Sequence, residues 1–401
     1  MKAVVIGGAG RMCVSAIKDF VEQEDVTGIL LIDANEDVLA ARKKQMGSDK
    51  IKIATADVTD TAKLAALIRG YDVALNAISH KYNMDVMNAC LEAKVNYTDF
   101  GGLFLWAKDQ LTRHEDFRKA GITGIVGAGC APGIINVLTK YAVDRLDSVE
   151  NILMTDGIIN LTLKDTDFVP QYSLYTIIDE FNANNFEFIN GKMVELPPYS
   201  NGMWMEFPYP KPYDKMYVYN VLHSEVYTMP YTWESKGLKN CAFKLALHPA
   251  FEEKMRWLMI HGMGSDVPVD VKGQKIAPKD FLVAMFETKP GQQKFPEKPD
   301  DHKYLKVFID GEKKGKKVQY LMECGLHPSK KWNMPCGPYT VGFPAAVTCR
   351  MLGNGWIKEK GFFTGEQVID PDIYFRELMK RDGIEVKAQL IEDLKYPLVF
   401  K

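Results

Sequence analysis

Four apolar residues, Ala3 to Ile6, run straight into Gly7-Gly8-Ala9-Gly10, and a helical pattern follows from Arg11 to Glu22. A strand that ends in a glycine turn and feeds a helix is one βα unit. Such a unit is stable only when others extend its sheet and cover both faces. The residues up to 130 supply them. Strand Gly28–Asp33 leads to helix Glu36–Met46, and the short strand Lys52–Asp57 leads to helix Thr61–Ile68, opened by the N-cap Asp60. Strand Val73–Ala77 precedes helix Asn83–Ala93, strand Asn96–Asp99 precedes helix Ala107–Ala120, and strand Thr123–Gly127 closes the series. The apolar runs are short and unbroken, as parallel strands covered on both faces require. The predicted fold class is α/β, a doubly wound parallel sheet of Rossmann type.

From about residue 131 the texture changes to Tyr, Phe, Trp, Pro and Lys. ENILMTDGII, KNCAFKLAL and VPVDVKG read as strands, and KVFIDGEKKGKKVQYLMEC as a hairpin whose basic run Lys313–Lys317 is a solvated turn. A mixed sheet of this kind suits a substrate or dimerisation domain. Phe343–Leu352 is a small-residue helix and Asp372–Arg381 an amphipathic one, so the chain is expected to return to its first domain. The expected division is a dinucleotide-binding domain over 1–130, completed by 345–401, with a mixed α/β domain inserted over 131–344.

At 401 residues two or three domains are expected. A net charge of −2 offers no general attraction to nucleic acid or anionic membranes, so neither is an expected partner. No apolar run approaches the ~20 residues of a membrane span, and MKAVVIGG lacks the basic and cleavage features of a signal peptide. The seven cysteines form no C-x-x-C pair, and the seven histidines show no ligand spacing. This pattern reads as reduced thiols in a cytoplasmic protein without a metal site.

In a doubly wound sheet, ligands sit beyond the carboxyl ends of the strands. Gly8 and Gly10, with Arg11 and Met12, form the turn that would approach a pyrophosphate at a helix N-terminus. Asp33, 23 residues after Gly10, is placed to accept from the adenosine ribose. Its carboxylate would repel a 2′-phosphate, which favours NAD over NADP, although Arg42 could reach back. Asp57 and Val58 would flank the adenine, and Asn76-Ala77 would pass close to the cofactor. Cys13 stands where the G-x-G-x-x-G pattern wants Gly or Ala; it is small enough to serve as a packing residue.

The stretches VVIGGAGRM, LID, NAISHKYNMDVMNACLEAKVNYTDFGG and GAGCAPGIINVLTKYAVDRLDSVENI resemble the saccharopine dehydrogenase-like oxidoreductases. So does TVGFPAAVTCRMLGNGWIKEKGFFTGEQVIDPDIYFRELMKRDGIEV near the end, while HSE at 223–225 and NCAFKLAL are weaker landmarks. Within the family the chain looks most like lysine 6-dehydrogenases. The resemblance implies nicotinamide-dependent oxidation of an amine to an imine or the reverse, an inserted substrate and dimerisation domain, and a homodimer or homotetramer. Cys13 and the aromatic, Pro-rich stretch 197–235 depart from the family pattern.

Amine oxidation needs a group that accepts the amine proton. The ends of the fourth to sixth strands offer Ser79, His80 and Tyr82; Asp99, Gly101 and Gly102; and Cys130, Ala131, Pro132 and Gly133. His80 is the first candidate for proton transfer, since a free histidine titrates near neutrality; its alternative is a capping or surface role. Asp99 would bind an ammonium or fix its loop, and Tyr82 joins them as a catalytic candidate. Ser79, Ala131, Pro132 and Gly133 would border the nicotinamide. A Cys130 nucleophile lacks a visible base. From the second domain Tyr175, Tyr172 and His223 are candidates for a substrate carboxylate. The leading expectation is NAD-dependent oxidative deamination of a terminal amine of a diamino acid. The alternatives are a reductase joining an amine and an aldehyde into a secondary amine, as saccharopine- or carboxynorspermidine-type enzymes do, and a protein that senses NAD(H) without turnover.

Overall fold

Gly28–Asp33 hydrogen-bonds alongside Lys2–Ile6 in parallel register, Ile6 opposite Ile32, and this pair seeds the first sheet. The computed structural model describes residues 1–164, 166–288, 300–392 and 398–400. The chain divides into two compact units: Met1–Leu146 with Tyr227–Trp233 and Pro338–Ile384, and Asp147–Val226 with Glu234–Gly337 and Glu385–Lys401.

In the first unit the strands are β1 (Lys2–Ile6), β2 (Gly28–Asp33), β3 (Ile51–Thr55), β4 (Val73–Asn76), β5 (Asn96–Asp99) and β6 (Thr123–Val126). The helices are α1 (Val14–Glu22), α2 (Glu36–Met46), α3 (Thr61–Ile68), α4 (Asn83–Ala93), α5 (Phe104–Leu111), α6 (His114–Ala120) and α7 (Ile134–Val143). A late strand, Gly361–Thr364, adds to β6, giving the parallel order Gly361–Thr364, β6, β5, β4, β1, β2, β3. The order reverses next to β1, which is where a doubly wound sheet leaves its crevice. Val4, Ile6, Leu30, Ile32, Ala74, Tyr97 and Phe362 are buried in one cluster, as unbroken apolar strands demand.

Two expected helices differ. α1 begins at Val14, not Arg11, because the Gly10 N–H donates to the Gly7 carbonyl (2.9 Å) and the Cys13 thiol donates to the Gly7 and Gly10 carbonyls, holding these residues in the turn. The segment 107–120 is two helices, because the Thr112 hydroxyl bonds the Asp109 carbonyl at 2.6 Å and closes α5. The small-residue helix runs over Cys336–Gly353. A Cβ at Gly342 would collide with Ser15 Oγ and the Met12 carbonyl, so glycine lets this helix touch the start of α1. Arg350 fastens the return, pairing with Asp25 (2.9 Å) and Glu377 (3.1 Å).

The second unit is built on β7 (Ser148–Asn160), α8 (Leu174–Asn182), β8 (Asn185–Ile189), β9 (Lys192–Leu196), β10 (Met203–Glu206), β11 (Lys215–Asn220), β12 (Asn240–Ala246), α9 (Pro249–Ile260), β13 (Val269–Val271), β14 (Gln274–Ile276), α10 (Pro278–Glu287), β15 (Asp301–Lys313) and β16 (Lys316–Leu326). Its main sheet has the order β10-β11-β12-β7-β15-β16 followed by Ile384–Glu392, with the β8–β9 hairpin joined to β12. β7 and β12 are parallel, while β10–β11, β11–β12, β7–β15 and β15–β16 are antiparallel. The β15–β16 hairpin turns at Lys314 (φ 53°) and Gly315 (φ 73°), a two-residue turn in which both residues need positive φ. Lys314, Lys316 and Lys317 are exposed there. VPVDVKG does form a strand, β13, but only in a two-stranded hairpin outside the main sheet.

The division departs from the expected one at four places. α7 belongs to the first unit, as do residues 227–233 and 338–344, and the chain from 385 onward belongs to the second, where its strand pairs with β16. Among the described residues no helix is long and apolar enough to cross a membrane, and no group of three or more His, Cys, Asp or Glu is arranged to hold a metal.

Candidate active site

At the carboxyl ends of β1 to β3 lies a cleft of about 510 Å³, lined by Gly7, Asp33, Ala34, Asp57, Val58 and Tyr82 among others. The turn at the end of β1 has room for glycine only. Gly7 has φ 85°, and a Cβ there would lie 2.6 Å from Ile78 Cγ2 and 2.8 Å from the Ala77 carbonyl oxygen. Gly7 was not among the expected residues, although it opens the turn. Gly8 leaves room for Leu31, whose Cβ would be 2.8 Å from any Cβ added at Gly8. Asp33 accepts the Ala34 N–H (2.8 Å) and the Ala9 N–H (3.2 Å), so its carboxylate is anchored at the mouth of the turn. Arg42 does reach back, but its guanidinium donates to the carbonyls of Ala9 (3.0 Å) and Gly10 (3.1 Å) and so braces the turn. Asp57 accepts from the Thr59 N–H and hydroxyl, which hold its carboxyl below the usual range. Arg11 is exposed and Met12 half-buried on the turn. Burial pushes the Cys13 thiol up to about 12, the state of a packing residue.

The other residues expected around a nicotinamide are placed less simply. Asn76 is buried, donating to Asn83 (2.9 Å) and to the Tyr97 hydroxyl (3.2 Å), while Ala77 N–H donates to Ile6. Asp99 belongs to the same network: it accepts from the Tyr97 hydroxyl (2.7 Å), Gln110 (2.6 Å) and the Gly127 N–H (2.9 Å). These contacts fit the loop-fixing role that the sequence offered beside the ammonium-binding one. Ser79 is exposed, and the half-buried His80 ring packs on Trp106 at 5.0 Å. Tyr82 lines the cleft beneath Ile78. The Cys130–Gly133 loop contains a cis Ala131–Pro132 bond. Gly133 N–H donates to Asn136 (2.8 Å), and just beyond the loop Ile134 donates to Gly129 and Ile135 to Cys130.

The second unit holds a buried polar cluster. His223 follows β11; its ring stacks on Phe243 (4.0 Å, 8°) and its Nδ1 lies 2.5 Å from Glu225 Oε2. The other ring nitrogen faces Glu180 of α8 at 3.9 Å, and Glu180 accepts from the Tyr172 hydroxyl. Asp156 of β7 and Lys303 of β15 complete the set; Asp156 pairs with Leu305, so Lys303 is its diagonal neighbour on the same sheet face. Burial pushes the Glu180 carboxyl up to about 7, against the pull of His223 and Tyr172. Burial also raises Asp156. For His223, burial opposes the charged ring, but Glu225, Glu180 and Asp156 outweigh it and hold its pKa above the usual value. Asp156 Oδ1 and Glu225 Oε1 are buried with no hydrogen-bond partner among the described residues.

Tyr172 and His223 are thus in this cluster and Tyr175 is not: it is exposed on α8, donating to Asp280 at 2.9 Å. Asp156, Glu180, Glu225 and Lys303 were missed. The signal for Asp156 was an acid inside an otherwise apolar strand, ILMTDGII, where only a paired or functional carboxylate is tolerated.

Residues 3–125 match the saccharopine dehydrogenase NADP binding domain, and residues 129–384 the saccharopine dehydrogenase C-terminal domain. The chain is 28% identical over 399 residues to carboxyaminopropylagmatine dehydrogenase of Synechocystis sp., spanning 94% of this chain and 95% of that protein. It is 27% identical over 360 residues to carboxynorspermidine synthase of Vibrio alginolyticus, spanning 86% of this chain and 84% of that protein. The apo saccharopine dehydrogenase (L-Glu forming) of Saccharomyces cerevisiae shares the fold, with a TM-score of 0.74, 17% identity, and 97% of this chain and 99% of that chain covered. With two matching domains that together run almost end to end, the chain belongs to the saccharopine dehydrogenase family of NAD(P)-dependent oxidoreductases acting on amines.

Proposed function

We propose that the protein reductively joins a cationic amine to a carboxylate-bearing aldehyde, giving a secondary amine, and catalyses the reverse oxidation. The observation that carries this reading is the pair of buried carboxylate oxygens, Asp156 Oδ1 and Glu225 Oε1, that lack partners beside Glu180. A buried carboxylate without a donor is costly, and a substrate ammonium supplies both the charge and the N–H groups. Three carboxylates face one lysine and one histidine, so the cluster favours a cation. The similarity to a carboxyaminopropylagmatine dehydrogenase and a carboxynorspermidine synthase supports condensation over the deamination of a free diamino acid.

Amine and aldehyde lose water to give an iminium, and hydride addition to its carbon gives the secondary amine. The bound nicotinamide supplies that hydride. The chain's own groups manage protons and charge. Glu180, near 7, can be an acid that protonates the departing hydroxyl and a base that accepts from the amine in the reverse direction. The Tyr172 hydroxyl donates to one of its oxygens and His223 faces the other at 3.9 Å, and Glu225 fixes the His223 ring. For the cofactor, Asp33 at the ribose end supports NAD(H) over NADP(H), since Arg42 is committed to the turn carbonyls.

The test follows cofactor absorbance with agmatine and short diamines, each paired with aspartate semialdehyde, using NADH and NADPH in turn. Oxidation of the reduced cofactor that requires both amine and aldehyde supports the reading. Reduction of NAD by lysine alone, without condensation activity, overturns it in favour of a lysine 6-dehydrogenase-like reaction.

A further inference from the structure

The aromatic, Pro-rich stretch after residue 197 contains an arrangement that the proposed chemistry has not used. Arg256 of α9 lies over the Tyr199 ring at 4.2 Å and the Tyr219 ring at 5.6 Å. The two rings are 5.2 Å apart, and Phe181 meets both edge-on at 5.3 and 5.7 Å. Stacking of this kind fixes the plane of a guanidinium. Arg256 Nη2 donates to Glu252 at 2.7 Å, which leaves the rest of the planar fork for a second anion. The hydroxyls of Tyr199 and Tyr219 are both buried with no hydrogen-bond partner among the described residues, and Tyr219 has no solvent exposure at all. Two orphaned phenols side by side are unusual, because buried polar groups are nearly always satisfied. Tyr199 also sits at φ 60°, a backbone state that a bulky residue adopts only when its surroundings impose it.

We infer that Tyr199, Tyr219 and Arg256 form a carboxylate-binding subsite that takes the acid group of the aldehyde substrate. The inference rests on the condensation reading for the identity of that substrate. A carboxylate offers up to four acceptor positions, which suits two hydroxyl donors and the open edge of a guanidinium. Glu252 does not repel it: Arg256 neutralises that group, and burial holds the Glu252 carboxyl above its usual range. Glu180 is among the charges acting on the Tyr219 hydroxyl, so the subsite lies within electrostatic reach of the proposed acid.

The experiment compares Arg256→Met and Tyr219→Phe with the wild type, measuring KM for aspartate semialdehyde, for propanal and for the amine. Loss of a charge-assisted bond raises a dissociation constant roughly ten- to a hundredfold, and loss of a neutral one roughly three- to tenfold. The expected result is such a rise for the semialdehyde alone, with propanal and amine KM within about twofold, a selectivity that a packing role does not produce. Equal losses for propanal and semialdehyde, or no change, overturn the subsite. Calorimetry with succinate, a non-reacting dicarboxylate, separates this inference from the reaction itself. Binding to the wild type that Arg256→Met weakens at least tenfold supports the subsite even in a protein without condensation activity, and equal binding to both refutes it.

Discussion

Glu180 Oε1 lies 3.9 Å from Nε2 of His223, and the opposite nitrogen of the same ring lies 2.5 Å from Glu225. One imidazole thus separates two buried carboxylates. Like charges so placed cannot all ionise at neutral pH without a cation between them, so the charge on the ring and the protonation of Glu180 are linked. A cationic substrate entering the cluster would favour ionised Glu180 and so draw a proton from it.

That linkage sets the sign of a pH dependence. Glu180 titrates near 7 in the folded chain against about 4.5 unfolded, so between those values the folded state binds the extra proton and stability falls as pH rises. His223, with its pKa raised, acts in the same direction: its contribution is complete below the unfolded value and is lost as pH passes the folded one. Glu180→Gln removes the first contribution. Its melting temperature relative to wild type is therefore expected to rise between about pH 5 and pH 8. The limb near 7 in the pH profile of the condensation should also vanish. A pH-independent difference in melting temperature would refute the assignment.

Removing the ring is more severe. Among the described residues, His223→Phe leaves Glu225 with Ser224 donating at 3.2 Å, and leaves Glu180 facing an apolar edge. Breaking a buried charged pair in this way costs about 3–5 kcal/mol. Chemical denaturation measures it. The double substitution His223→Phe with Glu225→Gln should recover part of the loss, because the uncompensated charge goes with the partner.

Asp99 gives the opposite kind of expectation. Three donors converge on its carboxylate, from Tyr97, Gln110 and Gly127, and it fixes the ends of β5 and β6 against each other. Asp99→Asn offers an N–H₂ where at least one donor already points. A loss of about 2 kcal/mol in unfolding free energy is expected, from one unsatisfied buried group. The KM for amine should stay within about twofold at temperatures where the variant is folded. A specific rise in amine KM would restore Asp99 to the catalytic set.

The parallel sheet was legible because its information is local: a short apolar run, a glycine turn, an acid such as Asp33 at the end of the next strand. Gly8, Gly10 and Asp33 could be placed on that turn and strand end from spacing alone for that reason. The second cluster draws on β7, the loop before α8, α8 itself, the residues after β11, and β15. Asp156 and Lys303 are far apart in the chain, and only the register of β7 against β15 makes them neighbours. No periodicity carries that register. Tyr175 and Tyr172 show the same limit within three residues. Tyr172 turns inward to Glu180 while Tyr175 sits on the outer face of α8, and the sequence offered both alike.

The proposed preference for NAD(H) over NADP(H) rests on Asp33. Its carboxylate is held by the Ala9 and Ala34 N–H groups, which point it along the mouth of the cleft where a ribose would lie. A ribose diol donates to such a group; a 2′-phosphate meets its charge. Asp33→Ser keeps a small polar side chain but removes that charge. Affinity for NADH is expected to fall roughly tenfold, the worth of one charge-assisted hydrogen bond. NADPH should bind as well as or better than before, because the repulsion is gone and Lys63 also lines the cleft. Titration of each nucleotide by fluorescence decides it. Equal weakening of both would mean that Asp33 serves only to brace the glycine turn.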